Sequence, residues 1–171
     1  MVSTEGAAPA GSQPKRAGAF IRAALLLAAV VGLDQLTKHT IASGIADGDS
    51  KRFIPGIIKF VHVRNKGVAF GFLSGGGTLV LIFTALALGA LLVYFILRPT
   101  RRGLWVPTGL LIGGAIGNLI DRIAHHAVTD FIKLPAWPAF NVADMAITFG
   151  VLSLLWVLEG GRTERGGQSG G

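Results

Sequence analysis

The stretch FNVADMAITFGVLSLLWVL, Phe140 to Leu158, reads as a membrane-spanning helix in every respect but one: an acid, Asp144, stands near its start. A span needs about 20 mostly apolar residues to cross about 30 Å of hydrocarbon. Three further runs come close, namely Ala19 to Lys38, Thr78 to Leu97 and Leu104 to Ile120, and the last two hold no charged residue. The first continues past Val30 without a small-x-small cleavage site, so it reads as a retained span and not as a signal peptide. Of the 171 residues, 51% are hydrophobic and 15% charged. Gathered into long runs, they point to an integral membrane protein.

The expected fold is an all-α membrane protein with four transmembrane helices and a small extracytoplasmic β-cradle between spans 1 and 2. Residues 1–18 and 159–171, rich in Gly, Ser and charge, are expected to be disordered cytoplasmic tails around a four-span domain over residues 19–158. The cradle falls in the loop of about residues 39–77, where GIIKFVHVRN (Gly56 to Asn65) and GVAFGFL (Gly67 to Leu73) flank a turn-like NKG and suggest a strand pair. The second outer loop, Arg122 to Ala139, ends in a Pro- and Trp-containing stretch that suits an irregular interfacial segment. Basic residues divide evenly between the two sides of this topology. Three arginines in the six residues RPTRRG (Arg98 to Gly103) nevertheless favour cytoplasmic termini.

Several function classes drop out on composition. The chain has no cysteine, which excludes disulfides, zinc-thiolate sites and a cysteine nucleophile. The net charge of +7 reads as basic residues flanking spans and meeting anionic membrane lipids, with no nucleic-acid partner.

Four acids, Asp34, Asp121, Asp130 and Asp144, fall at or beside the outer ends of the spans and so converge on one face of the membrane. Ionisable groups at membrane depth are costly and usually mark function. Asp34 has a neutralising partner in Lys38, one turn on. Asp121 lies between Asn118 and Arg122, a setting that suits a structural network at a helix end. Asp130 and Asp144 are the better candidates for chemistry, and Asp144 has no basic residue three or four places away on either side. Two carboxylates sharing a low-dielectric site do not both ionise easily. One can then act as general base on water while the other polarises a carbonyl, the division that peptide hydrolysis by an aspartic pair requires. Neither acid is assigned a fixed role, because the titration belongs to the pair. The same acids would also serve a small transporter or channel with a proton- or cation-binding aspartate cluster, and His126, Asp130 and Asp144 are a conceivable metal set without any HExxH motif. Gly113 and Gly117 in GGAIG are a small-xxx-small pattern that permits close helix packing.

In order, DQLTK (Asp34 to Lys38), RNKGVAFGFL (Arg64 to Leu73), GGAIGNLIDR (Gly113 to Arg122), VTDFI (Val128 to Ile132) and FNVADMAI (Phe140 to Ile147) resemble the lipoprotein signal peptidase family. The resemblance covers roughly residues 19–158. It implies an aspartic endopeptidase of the bacterial cytoplasmic (inner) membrane, multi-pass and with both termini cytoplasmic. It would act as a monomer, without metal or cofactor, on diacylglyceryl-modified prolipoproteins, cutting before the lipidated cysteine near the extracytoplasmic face. The family's catalytic pair falls on Asp130 and Asp144. Supporting or substrate-binding positions fall on Asp34, Lys38, Asn65, Gly67, Ala69, Phe70, Asn118, Asp121, Arg122, Phe140, Asn141 and Ala143.

Overall fold

The computed structural model describes residues 13–66 and 77–166. The expected second cradle strand, with Gly67, Ala69 and Phe70, lies outside them. Four helices and three strands follow in the order α1 (Gln13–Gly44), β1 (Ser50–Ile54), β2 (Ile58–Asn65), α2 (Gly77–Leu97), α3 (Trp105–His125), β3 (Val128–Lys133) and α4 (Val142–Gly166). α1 and α4 reach into both stretches drawn as tails, because a helix once nucleated gains one hydrogen bond per added residue.

Among the described residues, α1 over Lys15–Gly44 and α4 over Val142–Gly160 are long and apolar enough to cross a membrane, and α2 carries a shorter apolar run, Phe83–Leu97. Their large apolar side chains point outward: Leu25, Phe83, Leu86 and Trp156 are all more than 60% exposed. α3 is the exception. It sits between α1 and α4 and buries Gly109, Gly113, Gly114, Gly117, Asn118 and Asp121.

Glycine is what lets α3 occupy that place. Between lipid-exposed helices there is little hydrophobic drive, so association depends on close packing. A Cβ at Gly113 would come within 3.0 Å of the Val30 Cβ on α1, and one at Gly114 within 2.6 Å of the Ala143 carbonyl on α4. At Gly117 it would stand 2.6 Å from the Asp34 carboxylate. The small-xxx-small pair therefore serves different neighbours, Gly113 admitting the α1 backbone and Gly117 a buried acid.

The sheet requires a correction to the expected cradle. It has three strands in the order β1-β2-β3, both pairs antiparallel, and the third comes from the loop between α3 and α4, where no strand was expected. VTDFIK, rich in β-branched and aromatic residues, supplies the open edge of β2 with a partner. Val63 faces Asp130 and Asn65 faces Val128 in the register, with an irregularity between Phe60 and Val63. An isolated bridge, Ile132 with Phe140, then folds the chain back and delivers residue 141 beside β3. The intervening turn closes on itself through Lys133, whose ammonium donates to the Trp137 carbonyl at 2.8 Å.

Two substitutions separate these roles. Gly117→Ala is expected to displace Asp34 and lower the thermal unfolding temperature in detergent by several degrees. Gly32→Ala, where nothing lies within 4 Å of the added methyl, is expected to leave it unchanged or raise it, since alanine is favoured over glycine in a helix by up to about 1 kcal/mol. Equal effects would contradict the packing account.

Candidate active site

At one end of the bundle α1, α3, α4 and β3 meet around a buried lysine. Lys38 on α1 is 4% exposed; its Nζ lies 2.7 Å from Asp34, one turn away, and 3.1 Å from Asp121 on α3. It also donates to the Asn118 side-chain oxygen at 3.2 Å. One cation thus faces two carboxylates, and the balance is made up by neutral donors. The Ala143 amide donates to Asp34 at 2.9 Å, the Thr129 amide donates to Asp121 at 2.8 Å, and the Gln35 amide group lies within 3.2 Å of both acids. A buried ion pair is sustained only when such extra bonds satisfy its remaining lone pairs.

Asp130 comes to the site on β3. Side chains alternate along a strand, so Lys133, three residues on, points to the other face. On its own face Asp130 is diagonal to Asn65, whose amide donates to Oδ2 at 3.0 Å. Asn141 donates to Oδ1 at 2.8 Å. Asp130 is buried, and burial is the main cause that pushes its carboxyl up from 3.8 to about 6. The Asn65 hydrogen bond pulls down, the Asp144 charge pushes up, and Asn141 and Lys38 pull down.

Asp144 comes to the site in the first turn of α4, through a capping box. Asn141, just before the helix, accepts from the Asp144 amide at 2.9 Å, and Asp144 Oδ2 accepts from the Asn141 amide at 3.2 Å. Its other oxygen accepts from the Asn118 amide group at 2.8 Å. Asn141, fully buried, also donates to the Asn118 oxygen at 3.1 Å. The two aspartates are therefore joined through two asparagines: Asp130 to Asn141, Asn141 to Asn118, and Asn118 to Asp144.

Of the residues singled out in the sequence, Asp34, Lys38, Asn65, Asn118, Asp121, Asp130, Asn141 and Asp144 meet in this network, and Ala143 joins it through its backbone. Phe140 contributes the bridge that places Asn141. Arg122 donates to the Asn118 carbonyl of its own helix at 3.2 Å, among the described residues its one side-chain bond. Gln35 was not singled out; its signal was an amide directly after Asp34 in an otherwise apolar run. His126 caps α3 in a left-handed conformation, and among the described residues no three His, Asp or Glu side chains form a metal-binding group.

Lys38→Met would leave two buried carboxylates without their cation, at a cost of about 3 to 5 kcal/mol. The expected result is a large drop in unfolding temperature, partly restored by adding Asp34→Asn. A second expectation concerns pH. Because the folded pKa of Asp130 lies above the ordinary value, its contribution to stability is full below about pH 4 and lost as pH rises through about 6. Above that, the ionised group costs about 3 kcal/mol.

The model of the family described as signal peptidase (SPase) II matches residues 26–159. A lipoprotein signal peptidase of Xanthomonas campestris pv. campestris (strain 8004) is 42% identical over 154 residues, covering 84% of this chain and 92% of its own. One from Moorella thermoacetica (strain ATCC 39073 / JCM 9320) is 41% identical over 135 residues, covering 78% and 90%. A solved structure described as a bacterial membrane enzyme superposes with a TM-score of 0.73 at 36% identity, over 83% of this chain and 90% of that one.

Proposed function

The chain belongs to the signal peptidase II family, and we propose that Asp130 and Asp144 are the aspartic pair with which it cuts signal peptides from prolipoproteins. The observation that carries this reading is the Asp130–Asn141–Asn118–Asp144 chain of hydrogen bonds, together with the raised pKa of Asp130. Asp130, the more buried acid, is pushed up to about 6 and so keeps its proton to higher pH than an ordinary carboxylate. Asp144, the more exposed, has both oxygens steadied by N–H donors and is the group placed to draw a proton from water.

In the proposed reaction, water attacks the scissile carbonyl as Asp144 takes its proton and Asp130 gives one to the carbonyl oxygen. The resulting gem-diol collapses: Asp144 passes its proton to the departing amine, and Asp130 recovers its own as the carboxyl forms. Asn118 and Asn141 hold both acids throughout. The substrate is a diacylglyceryl-modified prolipoprotein, cut before the lipidated cysteine. Four helices span the bacterial inner membrane with cytoplasmic termini, the sheet lies on the outer surface, and a single chain supplies every group. Support for this placement comes from the exposed apolar faces of α1, α2 and α4, and from Trp137, 58% exposed in the turn between β3 and α4. A transporter would need polar groups through the full depth of the bundle. At the far end the core is instead Ala19, Ala23, Leu91, Phe95, Leu104, Leu111 and Val157.

Processing of a diacylglyceryl-modified prolipoprotein by the purified protein tests the pair. Asp130→Asn and Asp144→Asn should each slow cleavage by a hundred- to ten-thousandfold while the protein still inserts and purifies; near-normal cleavage by either would remove that residue from the mechanism. In the wild type, kcat/KM should fall as pH rises above about 6, where Asp130 loses its proton. Asn65→Leu removes a bond that favours the ionised form of Asp130, so it should move that limb to higher pH; a limb that stays put would contradict the assignment.

A further inference from the structure

At the end of the bundle away from the aspartates, the start of α1 and the turn between α2 and α3 enclose a cavity of about 410 Å³, lined among others by Lys15, Gly18, Arg22, Arg101, Arg102 and Trp105. We propose that this cavity binds the phosphate of an anionic phospholipid headgroup. Arg22 is twelve residues before Asp34 on α1, about 18 Å along the helix axis, so this site is separate from the catalytic one.

The described lining of the cavity is positive. Among the described residues no carboxylate pairs with any of its four cations. Arg101 is used internally, donating to the Tyr94 hydroxyl and, at 3.0 Å, to the Val157 carbonyl, which fixes the floor. Arg22 is held by its Nε bond to the Gly18 carbonyl at 3.0 Å and by the Trp105 ring 5.5 Å from its guanidinium carbon. Its two terminal nitrogens make no protein hydrogen bond among the described residues. Lys15 and Arg102 are exposed and likewise make none there. Gly103, at φ 78°, turns the chain from Arg101 and Arg102 into α3. Leu104 gives the first amides of α3 no side-chain cap, which adds to the positive potential.

A preorganised guanidinium with a fork of free N–H groups, flanked by further cations, is the chemistry that recognises phosphate. The volume falls in the range of small-molecule sites. The surroundings indicate a lipid source: Ile21, Leu25 and Leu97, within three residues of Arg22 or Pro99 in the chain, are 58%, 65% and 68% exposed, apolar surface of the kind that acyl chains cover. Which leaflet supplies the lipid rests on the orientation proposed above; the binding itself does not, and it is measured independently of cleavage.

Native mass spectrometry of the full-length protein in detergent, titrated with phosphatidylglycerol or phosphatidylcholine, tests the site. The wild type should bind phosphatidylglycerol at least tenfold more tightly than phosphatidylcholine. A Lys15→Gln/Arg102→Gln double variant, which removes no internal contact, should bind it about thirtyfold more weakly, at about fivefold per lost charge. It should still process prolipoprotein normally, which shows that it is folded. Arg22→Gln should weaken binding as well. An Arg52→Gln/Lys59→Gln variant, losing two charges on the sheet, should bind as the wild type does. Equal affinity for the two lipids, an equal loss in the sheet variant, or displacement by glycerol 3-phosphate at the lipid's own affinity would each overturn the proposal.

Discussion

Lys38 is the group on which the arrangement depends. Its ammonium is the one cation shared by Asp34 on α1 and Asp121 on α3, and it also touches Asn118. The two acids in turn accept the amides of Ala143 on α4 and Thr129 on β3. A buried charge of this kind adds little stability over a well-packed apolar replacement, yet is strongly destabilising when half of it is removed. Its value here is positional. In a bilayer setting, where apolar surface does not drive helices together, a charge that can be satisfied only when four elements converge specifies their relative register.

Much of this was legible in the chain because it is local. Asp34 and Lys38 are four residues apart on a helix, so their pairing follows from helical geometry alone. Gly113 and Gly117 announce close packing for the same reason, although their different neighbours, a backbone and a carboxylate, depend on α1 and could not be read from α3. The four long helices follow from uninterrupted apolar runs.

What escaped is non-local. VTDFIK is too short, and too alike to a fragment of loop, for its pairing with β2 to be read before the register is known. The expected cradle was confined to about residues 39–77 and gave this stretch no strand. Gln35 escaped for a related reason, and Asn141, placed around the acids by the family resemblance alone, shows the same limit: an asparagine before a helix signals a cap, but nothing local says that the same side chain also reaches Asp130 across a bridge between Ile132 and Phe140. Arg122 shows the converse, a guanidinium expected around the acids that instead donates to the carbonyl one turn back.

The capping box at the start of α4 ties together two properties that proteins usually keep apart. Asn141 starts the helix and bridges the acids with the same side chain, and Asp144 serves its neighbour's backbone with the same carboxylate that we propose as one of the catalytic pair. Fraying of that first turn and loss of the geometry of the proposed pair are consequently one event, not two. The protein has no means of loosening the acid while keeping the helix, so an intact fold and a primed site are synonymous, and evolution can tune neither of these two residues for one duty without being answerable to the other.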